Sequence, residues 1–293
     1  MPDASKAVVT GATGGIGEAI ARRLAAEGRA VVLVGRSAER LEGARRRIAA
    51  AVPDAELRLE RADLSLMGDV RRLAERLVAG GVPDVVVSNA AVVTELGDVT
   101  SEGIQRMLAT NHLAPYLLLR SLAGAIGERP ARFVVVGASP SGLARVPVDL
   151  ADLECRTGRG LPPVPPSFRP FAAYGRTKNM NAMFGYALAR RLAGSRITVN
   201  GAHPGVIRET GLGRETRGAL RAFTVLLAPF VPGPEAGADT PAWLAGSPEV
   251  AGVSGRFFVR RRMVETAAHT TDVARCDALW EASARLTGLP VEL

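Results

Sequence analysis

Short apolar runs alternate with amphipathic stretches along most of the chain. Seven runs predict strands: Ala7–Val9, Ala30–Val34, Leu57–Leu59, Val85–Val87, Phe133–Val136, Ile197–Val199 and Phe257–Val259. Helical periodicity between them predicts helices at Ile16–Glu27, Ala38–Ala50, Asp69–Val78, Glu102–Ile126 and Phe171–Leu192. Strands that are apolar on both faces and separated by helices are typical of a parallel sheet with both faces covered. The pattern therefore predicts a doubly wound α/β fold of the Rossmann type, with about seven parallel strands.

Two stretches interrupt this alternation, one near 140–170 and one near 206–237. Strands of the same sheet are predicted after each, so we interpret residues 1–293 as one domain that carries two insertions. Val146–Pro170 and Leu220–Val231 are rich in Leu, Val, Pro and Phe. Because long loops in compact domains are usually lids or binding loops, we expect these segments to cover the substrate end of the cleft and form an apolar pocket. Burial for folding, or a subunit contact, remains the alternative.

The bulk composition is that of an ordinary soluble globular protein, with 47% hydrophobic and 23% charged residues. The formal charge is +8, but the arginines are scattered and aromatic residues make up only 4%. This favours solvated helix faces over a nucleic-acid surface. Cys155 and Cys276 have no metal-ligand spacing, and neither a disulfide nor a metal site is expected. The longest apolar stretch is too short to span a bilayer, so a cytoplasmic protein is expected. The oligomeric state stays open, with a homodimer among the alternatives.

A glycine-rich turn follows the first predicted strand and opens the first helix. It reads Thr10-Gly11-Ala12-Thr13-Gly14-Gly15-Ile16-Gly17. Glycines at this spacing let the backbone approach a pyrophosphate, which the helix N-terminus then stabilises. Between a strand and a helix at the start of a βαβ unit, this is a strong dinucleotide signal. A tight structural turn is the alternative.

The end of the second strand indicates which dinucleotide is bound. NAD sites place a carboxylate there for the ribose 2′-hydroxyl, whereas an arginine accommodates a 2′-phosphate. This chain has Gly35-Arg36-Ser37 and no acid at that point. Guanidinium matches phosphate geometry, so we predict NADP(H), with Arg36 and Ser37 at the phosphate. Arg36 as an ordinary surface residue is the alternative.

A tyrosine and a lysine four residues apart are the strongest catalytic signal. The 37 basic residues comprise two lysines, Lys6 and Lys178, and 35 arginines, and Lys178 lies four residues after Tyr174. Residues i and i+4 of a helix share a face. The ammonium is therefore expected to lower the tyrosine pKa, so that Tyr174 exchanges a proton with a substrate oxygen. A helix-surface pair is the alternative for this motif alone.

With these motifs in order, nearly the whole chain resembles the short-chain dehydrogenase/reductase family. The matching motifs are the glycine turn, Asp63-Leu64, Ser88-Asn89-Ala90-Ala91, Asn111, Ser139, the Tyr174–Lys178 pair and Pro204-Gly205. Three positions depart from the family pattern: Ser88, Ala91, and Glu209 where the family usually has Thr. The long segment between Ser139 and Tyr174 and the tail around Leu279–Ser283 resemble the retinol dehydrogenase-type branch.

The resemblance implies roles for these residues. Tyr174 would be the general acid, Lys178 would lower its pKa and bind the nicotinamide ribose, Ser139 would hold the carbonyl oxygen, and Asn111 would position a water. Pro115 after Asn111 predicts an interrupted helix there. The cofactor would contact Gly11, Thr13, Gly15, Ile16, Gly17, Arg36, Ser37, Asp63, Leu64, Asn89, Ala90, Tyr174, Lys178, Pro204, Gly205 and Val206.

Three functions remain open at this point. The first is an NADPH-dependent reductase of a bulky lipophilic ketone or aldehyde, with a polyketide or retinoid-like carbonyl as an example. The second is an NADP-dependent alcohol dehydrogenase that works in the oxidative direction. The third is a cofactor-binding regulatory protein without catalysis, which the presence of both Tyr174 and Lys178 disfavours.

Overall fold

Eight strands form one sheet through the centre of the molecule. The computed structural model describes residues 5–138, 146–205, 207 and 232–293. The strands are β1 (Lys6–Thr10), β2 (Ala30–Gly35), β3 (Leu57–Arg61), β4 (Val85–Ser88), β5 (Ala131–Val136), β6 (Ile197–His203), β7 (Arg256–Val259) and β8 (Arg262–Val264). They lie in the order β3-β2-β1-β4-β5-β6-β7-β8. The strand order reverses where β1 lies beside β4. This reversal creates a crevice at the carboxyl ends of the strands.

The seven strands predicted from the sequence are confirmed, and these seven run parallel to one another. The eighth strand was missed. It pairs antiparallel with β7 through a two-residue turn at Arg260 and Arg261, whose φ angles are +51° and +60°. Hairpin turns of this kind normally contain Asn or Gly, so two arginines gave no turn signal. Arg261 is held there by its two hydrogen bonds to Asp239.

Helices cover both faces of the sheet. They are α1 (Gly15–Ala26), α2 (Ala38–Ala51), α3 (Met67–Ala79), α4 (Arg106–Leu108), α5 (Ala114–Ile126), α6 (Arg169–Arg191), α7 (Pro234–Gly246), α8 (Ala268–Thr271) and α9 (Val273–Thr287). Apolar residues of α1, α2 and α7 pack on one face, and those of α3, α5, α6 and α9 on the other. The predicted doubly wound fold is therefore confirmed.

Two differences from the predicted helices bear on the site. The helix expected over Glu102–Ile126 begins at Arg106 and contains a π-helical turn, Ala109–Leu113, between α4 and α5. This confirms the interruption expected from Pro115, because proline has no N–H to donate to the carbonyl of Asn111 four residues earlier. The last four residues of the 206–237 stretch belong to the first turn of α7.

Candidate active site

A cavity of about 1070 Å³ lies in the crevice at the carboxyl ends of β1, β2 and β4. Ten residues predicted to bind the cofactor line it: Gly11, Thr13, Gly15, Ile16, Gly17, Arg36, Asp63, Leu64, Asn89 and Ala90. The cavity continues to Val92, Val93 and Thr110. These residues come from four separate stretches of sequence, and the parallel sheet brings them to one edge.

The glycine turn fits closely against the end of β4. Gly11 has a φ of +67°, and a Cβ at Gly17 would lie 2.3 Å from the Gly11 carbonyl oxygen and 2.5 Å from the Asn89 amide nitrogen. Asn89 holds this arrangement, because its backbone N–H donates to Thr10 Oγ1 and its side-chain amide donates to the Thr10 carbonyl, both at 3.0 Å. In contrast, a Cβ at Gly14 would meet no atom within 4 Å. The turn is therefore packed on its inner side and open towards the cavity.

The mouth of the cavity beside β2 is rich in arginine. Arg36 is exposed at the end of β2, and Arg40 and Arg46 of α2 line the same cavity. None of these three guanidinium groups has an ion-pair partner among the described residues. Ser37 caps α2, since its Oγ accepts a hydrogen bond from the Arg40 N–H at 3.2 Å. Its hydroxyl proton remains available to a ligand.

Asp63 and Leu64 line the same cavity just after the end of β3. The Asp63 carboxylate accepts a hydrogen bond from the Ser65 N–H at 2.9 Å, and its own N–H donates to Asp69 at 3.0 Å. These bonds fix the turn after β3.

Tyr174 and Lys178 are both buried on α6, with 8% and 3% of their surfaces exposed. The Lys178 ammonium lies 5.6 Å from the centre of the Tyr174 ring and donates to the Val136 carbonyl at 2.8 Å. Burial lowers the pKa of Lys178 to about 8, and burial raises the pKa of Tyr174. The expected lowering of the tyrosine pKa is therefore wrong for this structure. Loss of hydration on burial disfavours the charged phenolate.

Asn111 connects the turn after β4 to the helix that carries Tyr174. Its side-chain oxygen accepts from the Val92 N–H at 2.8 Å, and its amide nitrogen donates to the Val92 carbonyl at 2.9 Å and to Thr177 Oγ1 at 3.0 Å. Thr177 in turn donates to the Tyr174 carbonyl at 2.8 Å. We call Val92, Asn111, Thr177 and Tyr174 the amide clamp. The Asn111 side chain is thus occupied by protein groups.

An apolar cluster surrounds Tyr174. Its buried members are Met107, Cys155, Ala173 and Tyr174, with Ala91, Val92, Val93, Leu96 and Leu161 packed against them. Part of the insertion that was expected to form a lid therefore contacts the region of Tyr174 through Cys155 and Leu161. The prolines between Leu161 and Pro166 are mostly exposed.

Pro204 and Gly205 follow β6 on the same edge of the sheet, and Gly205 has a φ of +91°. The 1070 Å³ cavity is not lined by Pro204, Gly205, Tyr174 or Lys178. Ala91, Val92 and Val93 line it and also pack against the apolar cluster of Tyr174. Ser139, Val206, Glu209 and the Leu220–Val231 segment lie outside the described residues. Their predicted roles stay predictions.

The chain is similar to several known proteins. A short chain dehydrogenase family model matches residues 5–150. Retinol dehydrogenase 13 of Mus musculus is 33% identical over 293 residues, which cover 96% of this chain and 83% of the relative. Polyprenol dehydrogenase of the same species is 34% identical, with 96% and 83% covered. A protein of Streptomyces sp. (strain C5), named provisionally as a daunorubicin C-13 ketoreductase, is 35% identical, with 96% and 92% covered.

The chain is a short-chain dehydrogenase.

Solved structures agree with this assignment. An uncharacterized protein from Mycobacterium paratuberculosis superimposes with a TM-score of 0.75 at 25% identity, covering 99% of this dehydrogenase and 95% of that chain. An actinorhodin polyketide ketoreductase variant with NADPH has a TM-score of 0.66 at 25% identity, covering 89% and 97%. The dehydrogenase is therefore an oxidoreductase whose fold binds a nicotinamide cofactor.

The described residues fit such a cofactor. The open side of Gly14 faces the N-terminus of α1, where unpaired N–H groups bind pyrophosphate, and the cavity runs from there towards Arg36 and Asp63. Within the described ranges, no helix is both long and apolar enough to cross a membrane. The same residues contain no group of three or more His, Cys, Asp or Glu side chains suited to a metal.

Several residues of the dehydrogenase site were missed in the sequence. Arg40 and Arg46 of α2 line the cleft and were counted only among the scattered arginines. Thr177 lies inside the Tyr174–Lys178 motif, where its hydroxyl was a usable signal. Thr10 gave no signal, because its hydrogen bonds to the Asn89 and Ala90 N–H groups depend on the pairing of β1 with β4.

Proposed function

We propose that this dehydrogenase is an NADPH-dependent reductase that transfers hydride to the ketone or aldehyde of a bulky lipophilic substrate. One observation carries the proposal. The buried Tyr174–Lys178 pair lies against an apolar cluster, next to a dinucleotide cleft whose mouth is lined by unpaired arginines.

The arginines at the mouth of the cleft support NADPH over NADH. Arg36 and Arg40 flank the N-terminus of α2, and no carboxylate stands at the end of β2, where an NAD site needs one. Glu39 lines the cleft but belongs to the first turn of α2. Guanidinium binds phosphate through two parallel hydrogen bonds. The ketoreductase structure that carries NADPH supports the same choice.

The side chains near Tyr174 have distinct parts in the proposed reaction. The nicotinamide supplies a hydride to the carbonyl carbon. Tyr174 donates its phenolic proton to the carbonyl oxygen, and Ser139 holds that oxygen by a hydrogen bond. Lys178 binds the ribose and returns a proton towards Tyr174. Because the Asn111 side chain is occupied, its main-chain carbonyl, which Pro115 leaves without an α-helical donor, is the group that binds the relay water.

The same Tyr174 serves either direction of hydride transfer, because the phenol donates a proton in reduction and the phenolate accepts one in oxidation. Burial raises the pKa of Tyr174, and the ratio of NADPH to NADP⁺ sets the direction. Alcohol oxidation remains the second candidate, because the names of two relatives contain retinol dehydrogenase and polyprenol dehydrogenase.

The apolar cluster supports a lipophilic substrate. Apolar pockets with few polar groups bind ligands of matching polarity, and Val92, Val93, Leu96, Leu161 and Met107 contribute only apolar atoms here. The names of the relatives refer to a retinoid alcohol, a polyprenol and a polyketide-derived ketone. All three are large and carry a hydroxyl or carbonyl group.

Loss of NADPH absorbance on a panel of carbonyl compounds tests the proposal. We expect turnover of large apolar ketones or aldehydes, and little with small charged ones. Tyr174→Phe should lower kcat by roughly 10²- to 10⁴-fold, because it removes the general acid, while NADPH binding measured by fluorescence is retained. Near-normal kcat in this variant would exclude Tyr174 as the proton donor. NADPH binding with no turnover on any compound would favour the non-catalytic alternative.

A further inference from the structure

Arg176 is a buried cation that the proposed reaction does not use. It lies between Tyr174 and Lys178 on α6, and only 2% of its surface is exposed. Among the described residues it forms no ion pair, and its Nε has no hydrogen-bond partner. Within the described part of the chain, its one polar contact is the hydrogen bond that Nη1 donates to Cys155 Sγ at 3.2 Å. A buried guanidinium without a carboxylate is costly, so its contact with Cys155 calls for an explanation.

The segment that receives Arg176 is an unusual turn in the 146–170 insertion. Cys155 has a φ of +50°, which is rare for a residue with a side chain. Its N–H donates to the Asp152 side chain at 2.9 Å. Gly160 has a φ of +67°, and a Cβ there would lie 2.9 Å from Arg176 Nη2. The guanidinium therefore occupies the space between α6 and the turn formed by residues 155–160.

This turn contributes to the wall beside Tyr174. Cys155 belongs to the apolar cluster of Tyr174, Ala173 and Met107, and Leu161, directly after Gly160, packs against that cluster. Arg176 does not line the 1070 Å³ cavity, and its guanidinium reaches the turn at Cys155 and Gly160.

We propose that Arg176 is a positioning residue that fixes the 155–160 turn on α6 and thereby sets the size of substrate accepted beside Tyr174. The proposal rests on the proposed function for its substrate half. Its structural half, the anchoring of Cys155 by Arg176, stands without that function.

Thiol labelling tests the anchoring. Cys155 and Cys276 are both free and buried, and burial raises the pKa of both thiols, so Cys276 is an internal control. Iodoacetamide labelling followed by mass spectrometry should show Cys155 reacting about tenfold faster or more in Arg176→Met than in the wild type, since local opening is facilitated. The rate of Cys276 should not change. An unchanged Cys155 rate would overturn the anchoring, as would equal acceleration of both thiols.

Steady-state kinetics with a bulky ketone and a small aldehyde tests the effect on substrate size. In Arg176→Met we expect KM for the bulky ketone to rise about tenfold, as for a lost apolar contact, with kcat and KM for the small aldehyde nearly unchanged. Arg176→Lys keeps the charge but not the planar guanidinium. Its KM for the bulky ketone should lie between those of the wild type and Arg176→Met. Arg196→Met, which removes an exposed arginine remote from the site, is the control for the substitution itself.

The two measurements separate the possible failures. Faster Cys155 labelling with equal changes in KM for both substrates would overturn the role of Arg176 in substrate size. The anchoring of Cys155 by Arg176 would still be supported. If the wild type reduces no carbonyl compound, the proposed function fails together with the substrate half, whereas the labelling still decides the anchor. A circular dichroism melt of each variant shows whether loss of folding accounts for a result.

Discussion

Lys178 is the residue at which burial and charge conflict most sharply. Its amine is 3% exposed, and its one hydrogen bond among the described residues is to the Val136 carbonyl. No carboxylate of the described chain pairs with it. Nearly all other basic residues of this protein are arginines, which stay charged. A lysine can lose its proton near neutral pH when it is buried. This fits a residue that returns protons to Tyr174.

The first prediction concerns stability at alkaline pH. Burial lowers the pKa of Lys178 from 10.5 to about 8. Between these values the unfolded chain binds a proton that the folded protein does not. The charged Lys178 therefore destabilises the folded state fully below pH 8, and this destabilisation decreases as pH rises to 10.5. We expect the unfolding free energy of the wild type, relative to Lys178→Met, to rise by up to roughly 3 kcal/mol across this window.

Urea unfolding of both proteins at pH 7.5, 8.5 and 9.5 measures this difference, and effects common to both cancel. Parallel curves would mean that Lys178 keeps an ordinary pKa. The direction of the change matters more than its size, because Lys178→Met also leaves the Val136 carbonyl without its donor.

The second prediction concerns cofactor preference. Arg36→Ala should lower kcat/KM for NADPH roughly 10- to 100-fold, since a hydrogen bond to a charged group contributes about 1.5–3 kcal/mol, and should leave kcat/KM for NADH nearly unchanged. Arg45→Ala is the matched control, because Arg45 lies nearby on α2 but pairs with Glu42 and does not line the cleft. Equal losses with both cofactors would contradict a 2′-phosphate contact by Arg36.

At the scale of elements, the amide clamp joins the turn after β4 to α6. Asn111 forms two hydrogen bonds with the Val92 backbone and donates a third to Thr177, whose hydroxyl donates to the Tyr174 carbonyl. All of these bonds are wholly or partly buried, where a lost partner is costly. The π-helical turn at Ala109–Leu113 sets the register of Asn111 on its helix. The position of Tyr174 thus depends on an element distant in sequence.

The third prediction tests this clamp. Thr177→Val removes the hydroxyl while keeping the branched shape, and should lower kcat about tenfold, because a small displacement of Tyr174 misaligns the proton transfer. NADPH affinity should be retained. Thr177→Ser keeps both hydrogen bonds and should stay within about threefold of the wild type. If both variants lower kcat equally, packing of the methyl group is responsible and the clamp is not.

Sequence patterns predicted those elements whose signals are local. The seven parallel strands are apolar runs, and the glycine turn and the Tyr174–Lys178 pair are short motifs, so each could be found in one window. The eighth strand was missed because its turn is made by Arg260 and Arg261, and the turn is stabilised by contacts of Arg261 with Asp239 and Thr240 that are distant in sequence. The raised pKa of Tyr174 was missed because burial is a property of the folded molecule.

At the scale of the whole molecule, His112 links three helical elements across the core. It is completely buried, its Nε2 lies 2.8 Å from Ser283 Oγ on α9, and its Nδ1 lies 3.4 Å from Asn181 on α6. Ser283 also donates its own proton to the Leu279 carbonyl, which ties this contact to the backbone of α9. The neutral imidazole therefore helps to hold α9 on the fold.

The fourth prediction concerns acid stability. Burial lowers the pKa of His112 from 6.5 to about 4. Below pH 6.5 the unfolded chain takes up a proton that the folded protein does not, so stability is lost as pH falls from 6.5 towards 4. His112→Gln retains a donor but does not titrate. Its thermal midpoint should fall less steeply than that of the wild type between pH 6.5 and 4.5, by calorimetry, whereas equal slopes would assign the acid sensitivity to other groups.

The crossing of the chain between β1 and β4 has a consequence for how this protein can diversify. The glycine turn and Arg36 come from the β1–β2 half of the sheet, whereas the apolar cluster around Tyr174 comes from the turn after β4, the insertion and α6. No described residue belongs to both the arginine group and that cluster. Mutations that change which cofactor donates electrons therefore fall on different stretches of the gene from mutations that change which substrates accept them. Recombination or directed evolution can change one trait while the other is inherited intact.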